Sequence, residues 1–272
     1  MFHMSTTRKL IMAIALLLAA TLVVSSLAQD KPAPKAAADQ AVMMRITVTQ
    51  MPNGMVPEWQ NYQKNEVIPM MQKAGLTQSY VWRTATFGEA GEFIIARPMK
   101  DLSELDAPSP LVKALGQEAA TALATGMAAK AQRFNAWSRT FMLTGRPDLS
   151  IELPAGYAPK LAVMATTDVA PGRTEEYEKY SKEGLPVIRK TNVKGMLVGR
   201  VGLGGNPNQY ITFVMFDSFT DLDQFGAAYT KAAAEAKLAP TPPGIVTNTE
   251  WTTVRYVPEL SIQPAASKAA KQ

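Results

Sequence analysis

Two periodicities alternate along this chain. From Met43 to Gln50, apolar Met44, Ile46 and Val48 alternate with Arg45, Thr47 and Thr49, the period of two that marks a half-buried strand. Segment 58–73 (EWQNYQKNEVIPMMQK) changes to helical spacing. Strands are expected again at about 78–87 and 92–97, then a second helix, then a last strand at about 135–143. The same order then recurs. Segment 176–190 (EYEKYSKEGLPVIRK) places Tyr177, Tyr180, Leu185 and Ile188 on one helical face. Strands follow at 194–203 and 209–216, and Leu222, Phe225, Tyr229, Ala232 and Ala236 form a buried helical stripe. A final strand is expected at 247–257. Thr220 with Asp223, and Ser103 with Asp106, have the spacing of capping boxes at the starts of the second helices.

The recurrence holds residue by residue. Gly54, Glu58, Tyr62 and Lys64 align with Gly172, Glu176, Tyr180 and Lys182 at one constant spacing. One residue is then lost, and Pro69, Lys73, Val81, Arg83, Gly88 and Ile94 align with Pro186, Lys190, Val198, Arg200, Gly205 and Ile211. RPDLS, beginning at Arg146, answers VPELS, beginning at Val257. A register kept over this length reads as a tandem duplication. The order β-α-β-β-α-β, twice, is that of ferredoxin-like units. Strand QYITFVMF is apolar on both sides, so both faces of its sheet need a cover. Helices cover one face, and the other half's sheet is the natural cover for the second. The fold class expected is α+β: ferredoxin-like units at 43–146 and 160–258 with facing antiparallel sheets, a linker at 147–159 and a disordered tail at 259–272. Closure needs no second chain, and further oligomerisation stays open.

The element order, the Glu-x-x-x-Tyr helix and the proline near its end resemble the dimeric α+β barrel superfamily. That group includes antibiotic-biosynthesis monooxygenase domains, NIPSNAP-like and EthD-like domains, and histidine-dependent haem-degrading relatives. The resemblance covers about residues 43–257. It implies an intrachain barrel and allows a cofactor-independent monooxygenase- or isomerase-like activity, but no family catalytic residue is carried over by motif.

The two halves differ in one place that bears on chemistry. Four residues separate Lys64 from Pro69, and three separate Lys182 from Pro186. An added helical residue turns the following face by about 100° unless a break or a π-bulge absorbs it. Either the helix simply ends there, or a bulge at 65–67 re-aims Glu66 toward a pocket.

Composition removes most reaction classes. The chain has no cysteine, and its one histidine is His3. Arg8 and Lys9 precede an apolar run to Val24, and Ser26-Leu27-Ala28 gives small residues at a cut before Gln29. Residues 1–28 therefore read as a signal peptide and 29–42 as a disordered leader, which predicts export to a periplasmic or secreted location with no membrane anchor after cleavage. The mature chain then lacks both Cys and His. Thiolate nucleophiles, disulfides, Cys/His zinc sites, Ser-His-Asp triads and histidine-held haem are excluded. No cofactor or metal is expected. A net charge of +5 is too small and too evenly spread for nucleic acid, and GRVGLGGNPNQY, between two strands, reads as a hairpin turn rather than a phosphate loop.

Arg83, Arg139, Arg200 and Arg255 lie on strands beside apolar residues, where a guanidinium needs a carboxylate, an aromatic face or an anionic ligand. Residues that differ between the halves are the better site candidates. Trp59, Glu66, Tyr80, Trp82 and Arg83 are expected to border one cavity in the first half, suited to a small apolar or aromatic ligand. Two functions follow: an exported small-molecule-binding or structural barrel, or a cofactor-independent enzyme using a tyrosine or carboxylate.

Overall fold

The computed structural model describes residues 42–134, 137–155, 157–238 and 240–263. The expected signal peptide lies outside the described residues, as do all but Val42 of the expected leader and the end of the expected tail. The elements are β1 (Met43–Gln50), α1 (Val56–Tyr62), a π-helical turn (Gln63–Val67), α2 (Ile68–Lys73), β2 (Tyr80–Thr84), β3 (Glu92–Met99), α3 (Pro110–Leu115), α4 (Gln117–Gln132), β4 (Trp137–Gly145), β5 (Leu161–Val169), α5 (Thr174–Ile188), β6 (Gly195–Val201), β7 (Gln209–Phe216), α6 (Phe219–Glu235) and β8 (Val246–Tyr256). The fold is α+β, and its eight strands close into a barrel in the order β1-β3-β2-β8-β5-β7-β6-β4. Among the described residues no helix is long and apolar enough to cross a membrane.

Among the described residues, one compact unit contains residues 42–143, 202–204 and 252–263. Its β3 pairs antiparallel with β1 and β2, and β2 pairs with the end of β8. Its core joins Val56, Trp59, Tyr62 and Val67 to Val81, Phe93, Phe134, Val257 and Leu260. The other unit contains residues 144–201 and 205–251. There β7 pairs antiparallel with β5 and β6. Leu161, Val163 and Phe216 pack under Phe225 and Tyr229 of α6, while Tyr177 and Leu185 of α5 pack with Val198 and Tyr210. Both faces of β7 are buried: Tyr210 and Phe216 are 0% exposed on one side, and Met215 is 1% exposed on the other.

Several expectations need correction. Residues 147–159 are not a free linker, because Leu149 is 1% exposed and Ile151 bridges to Met196. The tail begins as folded structure: Leu260 and Ile262 are buried, and Ile262 bridges to Ser79. The cap of α6 is Ser218, which accepts from the Asp221 amide, two residues before the expected box. In the first half, Ser103 lies inside a short 3-10 turn (Leu102–Leu105) capped by Asp101 and ended by Asp106, and the next helix, α3, starts from Ser109.

The extra residue is absorbed by the π turn, which lies just before Pro69. A proline lacks its amide and crowds the carbonyl four residues back, and the wider turn relieves that crowding. Pro186 sits inside α5 with no such turn. Val67 points into the core and Glu66 is exposed, so the bulge, not a helix end, is what the added residue builds.

A charged cluster ties the end of β4 to α5. The Arg146 guanidinium donates to both Asp148 oxygens at 2.9 Å and to Glu178, and Lys182 lies 2.7 Å from Asp148. Hydrogen bonds from Arg146, then Lys182, hold the Asp148 carboxyl well below the usual carboxylate range. A carboxyl depressed in the folded state adds stability above its unfolded pKa of about 3.9 and loses it as pH falls. Urea midpoints should therefore drop between about pH 5 and pH 2 in the wild type, and less steeply in Asp148→Asn. Identical slopes for the two proteins would count against this role.

Candidate functional site

One apolar cavity lies within the unit of residues 144–201 and 205–251, between its sheet and helices. Strand alternation brings Val163, Ala165 and Thr167 of β5 and Thr212, Val214 and Phe216 of β7 to its floor. Tyr177, Tyr180, Ser181, Gly184 and Ile188 of α5 recur at helical spacing over it, beside Leu222, Phe225 and Tyr229 of α6. The cavity measures about 80 Å³. Gly184 explains part of the opening, since a Cβ placed there would meet nothing within 4 Å.

Its polar groups are neutral hydroxyls and one indole. Burial raises the Tyr177 phenol, against opposing hydrogen bonds from Ser181 and Thr167. Burial pushes Tyr229 up to about 12. The Tyr180 oxygen accepts from Thr241 Oγ1 at 3.3 Å. Trp251 also lines the cavity, and its Nε1 is buried with no hydrogen-bond partner. An unpaired buried N–H costs about 1–3 kcal/mol, and an acceptor on a bound molecule would remove that cost. No carboxylate lines the space, so it can hold and orient an apolar molecule but offers no ready base near pH 7.

The five residues singled out from the sequence do not share one cavity. Trp59 is 6% exposed and stacks on Phe93 at 4.4 Å. Arg83 lies over the same Phe93 ring at 5.6 Å. Trp82 is 7% exposed and meets Tyr256 edge-on at 5.3 Å. Tyr80 accepts from the Gln78 amide. Successive strand residues point to opposite faces, so Tyr80 and Trp82 lie on one side of β2 while Arg83 shares the Phe93 side with Val81. Arg139 and Arg200 likewise rest over the Phe141 and Tyr210 rings, at 5.5 and 5.9 Å.

Of the five, Glu66 borders a second space. This second space, about 190 Å³, lies between α1 with its π turn and the end of α4. Glu66 pairs with Lys130 and Glu58 with Arg133 at its mouth, and Tyr62 and Phe134 form its floor. The Tyr62 hydroxyl is buried without a partner; burial, then the Glu66 charge, raises its pKa, with Lys130 opposing. Among the described residues no group of three or more metal-type ligands is present.

No family model matches the chain, and no curated protein matches it. Solved structures do. A candidate monooxygenase from Lactobacillus acidophilus is 11% identical, with a TM-score of 0.50 over 82% of this chain and 97% of its own. A mutant chlorite dismutase from Candidatus Nitrospira defluvii, in complex with cyanide, is 9% identical, with a TM-score of 0.52 over 82% of this chain and 93% of its own. At such identities the likeness is one of fold, and the fold is that of the dimeric α+β barrels.

Proposed function

We propose that this chain is an exported protein, duplicated from one ferredoxin-like unit, that takes up a small apolar molecule bearing a hydrogen-bond acceptor. The duplication is supported by the aligned residues and by the matching strand runs β1-β3-β2 and β5-β7-β6. The observation that carries the binding role is the apolar cavity beneath α5 and α6 with the unpartnered Trp251 N–H at its wall. Apolar cavities of about 150 Å³ stay dry and accept benzene. At about 80 Å³ this one suits a short ketone, and partly buried Ile188 and Leu222 must shift for a ring.

A second reading, a cofactor-independent oxygenase or isomerase, is favoured by the fold shared with a candidate monooxygenase. In that case Tyr177 or Tyr229 serves as a proton donor, because burial keeps both phenols protonated.

Gly184 separates binding from folding. Gly184→Leu should fill the cavity and abolish saturation transfer to a short ketone such as butan-2-one. Gly184→Ala, in a helix with open space beside it, should raise stability by up to about 1 kcal/mol. Unchanged ketone binding by Gly184→Leu removes the cavity from consideration.

A further inference from the structure

We propose that the helix-side face of β1 and β3 holds a small oxyanion between Arg45 and Arg97. The two arginines are direct cross-strand partners. Phe93 and Ile95 of β3 pack toward α1, and the period of two puts Arg97 on that same face. Like charges directly opposite one another on a sheet are destabilising. Neither arginine has an ion-pair or hydrogen-bond partner among the described residues, and the Arg97 Nε is buried and unsatisfied. Burial, then the charge of Arg45, lowers the proton affinity of Arg97, with no carboxylate acting in the other direction.

The other half shows what this position looks like when it is apolar. In the alignment of the halves, Arg45 stands opposite Val163 and Arg97 opposite Val214. Val163 and Val214 are themselves cross-strand partners, and both line the apolar cavity. Packing at this place in the sheet therefore does not demand charge. Two guanidiniums there, with no acid beside them, have the chemistry of a clamp for a carboxylate or a phosphate, each able to give paired N–H donors to planar or tetrahedral oxygens. Thr47, the next residue on that face of β1, adds a hydroxyl already shared with Thr140 at 3.0 Å.

The test uses the full chain at constant ionic strength, with chloride replaced stepwise by inorganic phosphate or by benzoate. The melting temperature should rise by several degrees with at least one of them. Response to phosphate alone assigns a phosphate-bearing ligand, and response to benzoate alone assigns a carboxylate. Arg97→Met and Arg45→Met should each weaken the response at least tenfold, while Arg139→Met keeps it. In chloride, Arg97→Met should melt at or above the wild type, because an uncompensated charge has been replaced by an apolar chain of similar length. Insensitivity to both anions overturns the proposal, as does a full response in Arg97→Met. So does a marked loss of stability of that variant in chloride, which would mean that protein groups already satisfy Arg97.

Discussion

Phe93→Ala is expected to lower the unfolding free energy by about 3–5 kcal/mol, the usual cost of removing a buried phenyl ring. Phe93 is 0% exposed, and three elements converge on it. Trp59 of α1 packs against its ring, the Arg83 guanidinium lies over it from β2, and its backbone pairs with Thr49 of β1. Collapse around the hole is restricted because Trp59 is itself rigid and wide. Arg83→Met should cost far less, since only a cation–π contact of about 0.5–1 kcal/mol is lost. Urea unfolding of the two variants checks both. A Phe93→Ala cost under about 1 kcal/mol would mean that the ring does not organise this layer, and that Trp59 and Arg83 are free for another task.

Glu178→Ala should be the most damaging polar change, at about 2–4 kcal/mol, because removing one partner of a largely buried ion pair strands the other. The Glu178 side chain is 18% exposed and that of Arg146 is 21% exposed. Glu178 takes two hydrogen bonds from Arg146 and a third, at 2.6 Å, from the Tyr210 hydroxyl. Without it, the fully buried Tyr210 keeps an unpaired O–H, and Arg146 retains only Asp148. Tyr210→Phe, which leaves the ion pair intact, should cost about 1 kcal/mol. The pair Glu178→Leu with Arg146→Met should recover part of the loss, since an apolar replacement of both partners leaves no stranded charge. A double variant as unstable as the sum of its singles would contradict that account.

The architecture was legible where packing imposes a strict pattern. β1 and β7 fall at the limits expected: β1 keeps a strict alternation with Ile46 and Val48 buried, and β7 is buried on both faces. The cap of α6 was misplaced because DSFTDLD contains two overlapping Ser/Thr-x-x-Asp pairs, and only the fold chooses between them. Grouping Trp82 with Arg83 ran against strand alternation; adjacent residues of β2 cannot face one cavity, however suggestive their chemistry. The second-half cavity was harder to see, since it is made by a missing side chain. Its one sequence trace is Gly184 on the stripe of Tyr180 and Ile188. In the other half the same stretch carries Glu66 and Val67, and Val67 is buried in the core. The inserted residue thus both fills the space below α1 and throws Glu66 outward. A count of residues signals the insertion, but not which of the two turns inward.

The pairing of β2 with the end of β8 also sets an order of events during synthesis. The Val81 amide donates to Ser261 Oγ across 180 positions of sequence, and Trp82 to Thr84 pair with Val254 to Tyr256. At about 5–20 residues per second, β2 leaves the ribosome roughly ten to forty seconds before its neighbour exists. During that interval an apolar strand edge carrying Val81 and Trp82 is open to any extended segment that reaches it first. Distant pairings of this kind slow folding and prolong exposure. The nascent first half therefore carries this open edge until the chain is nearly complete, and its own sheet is finished last.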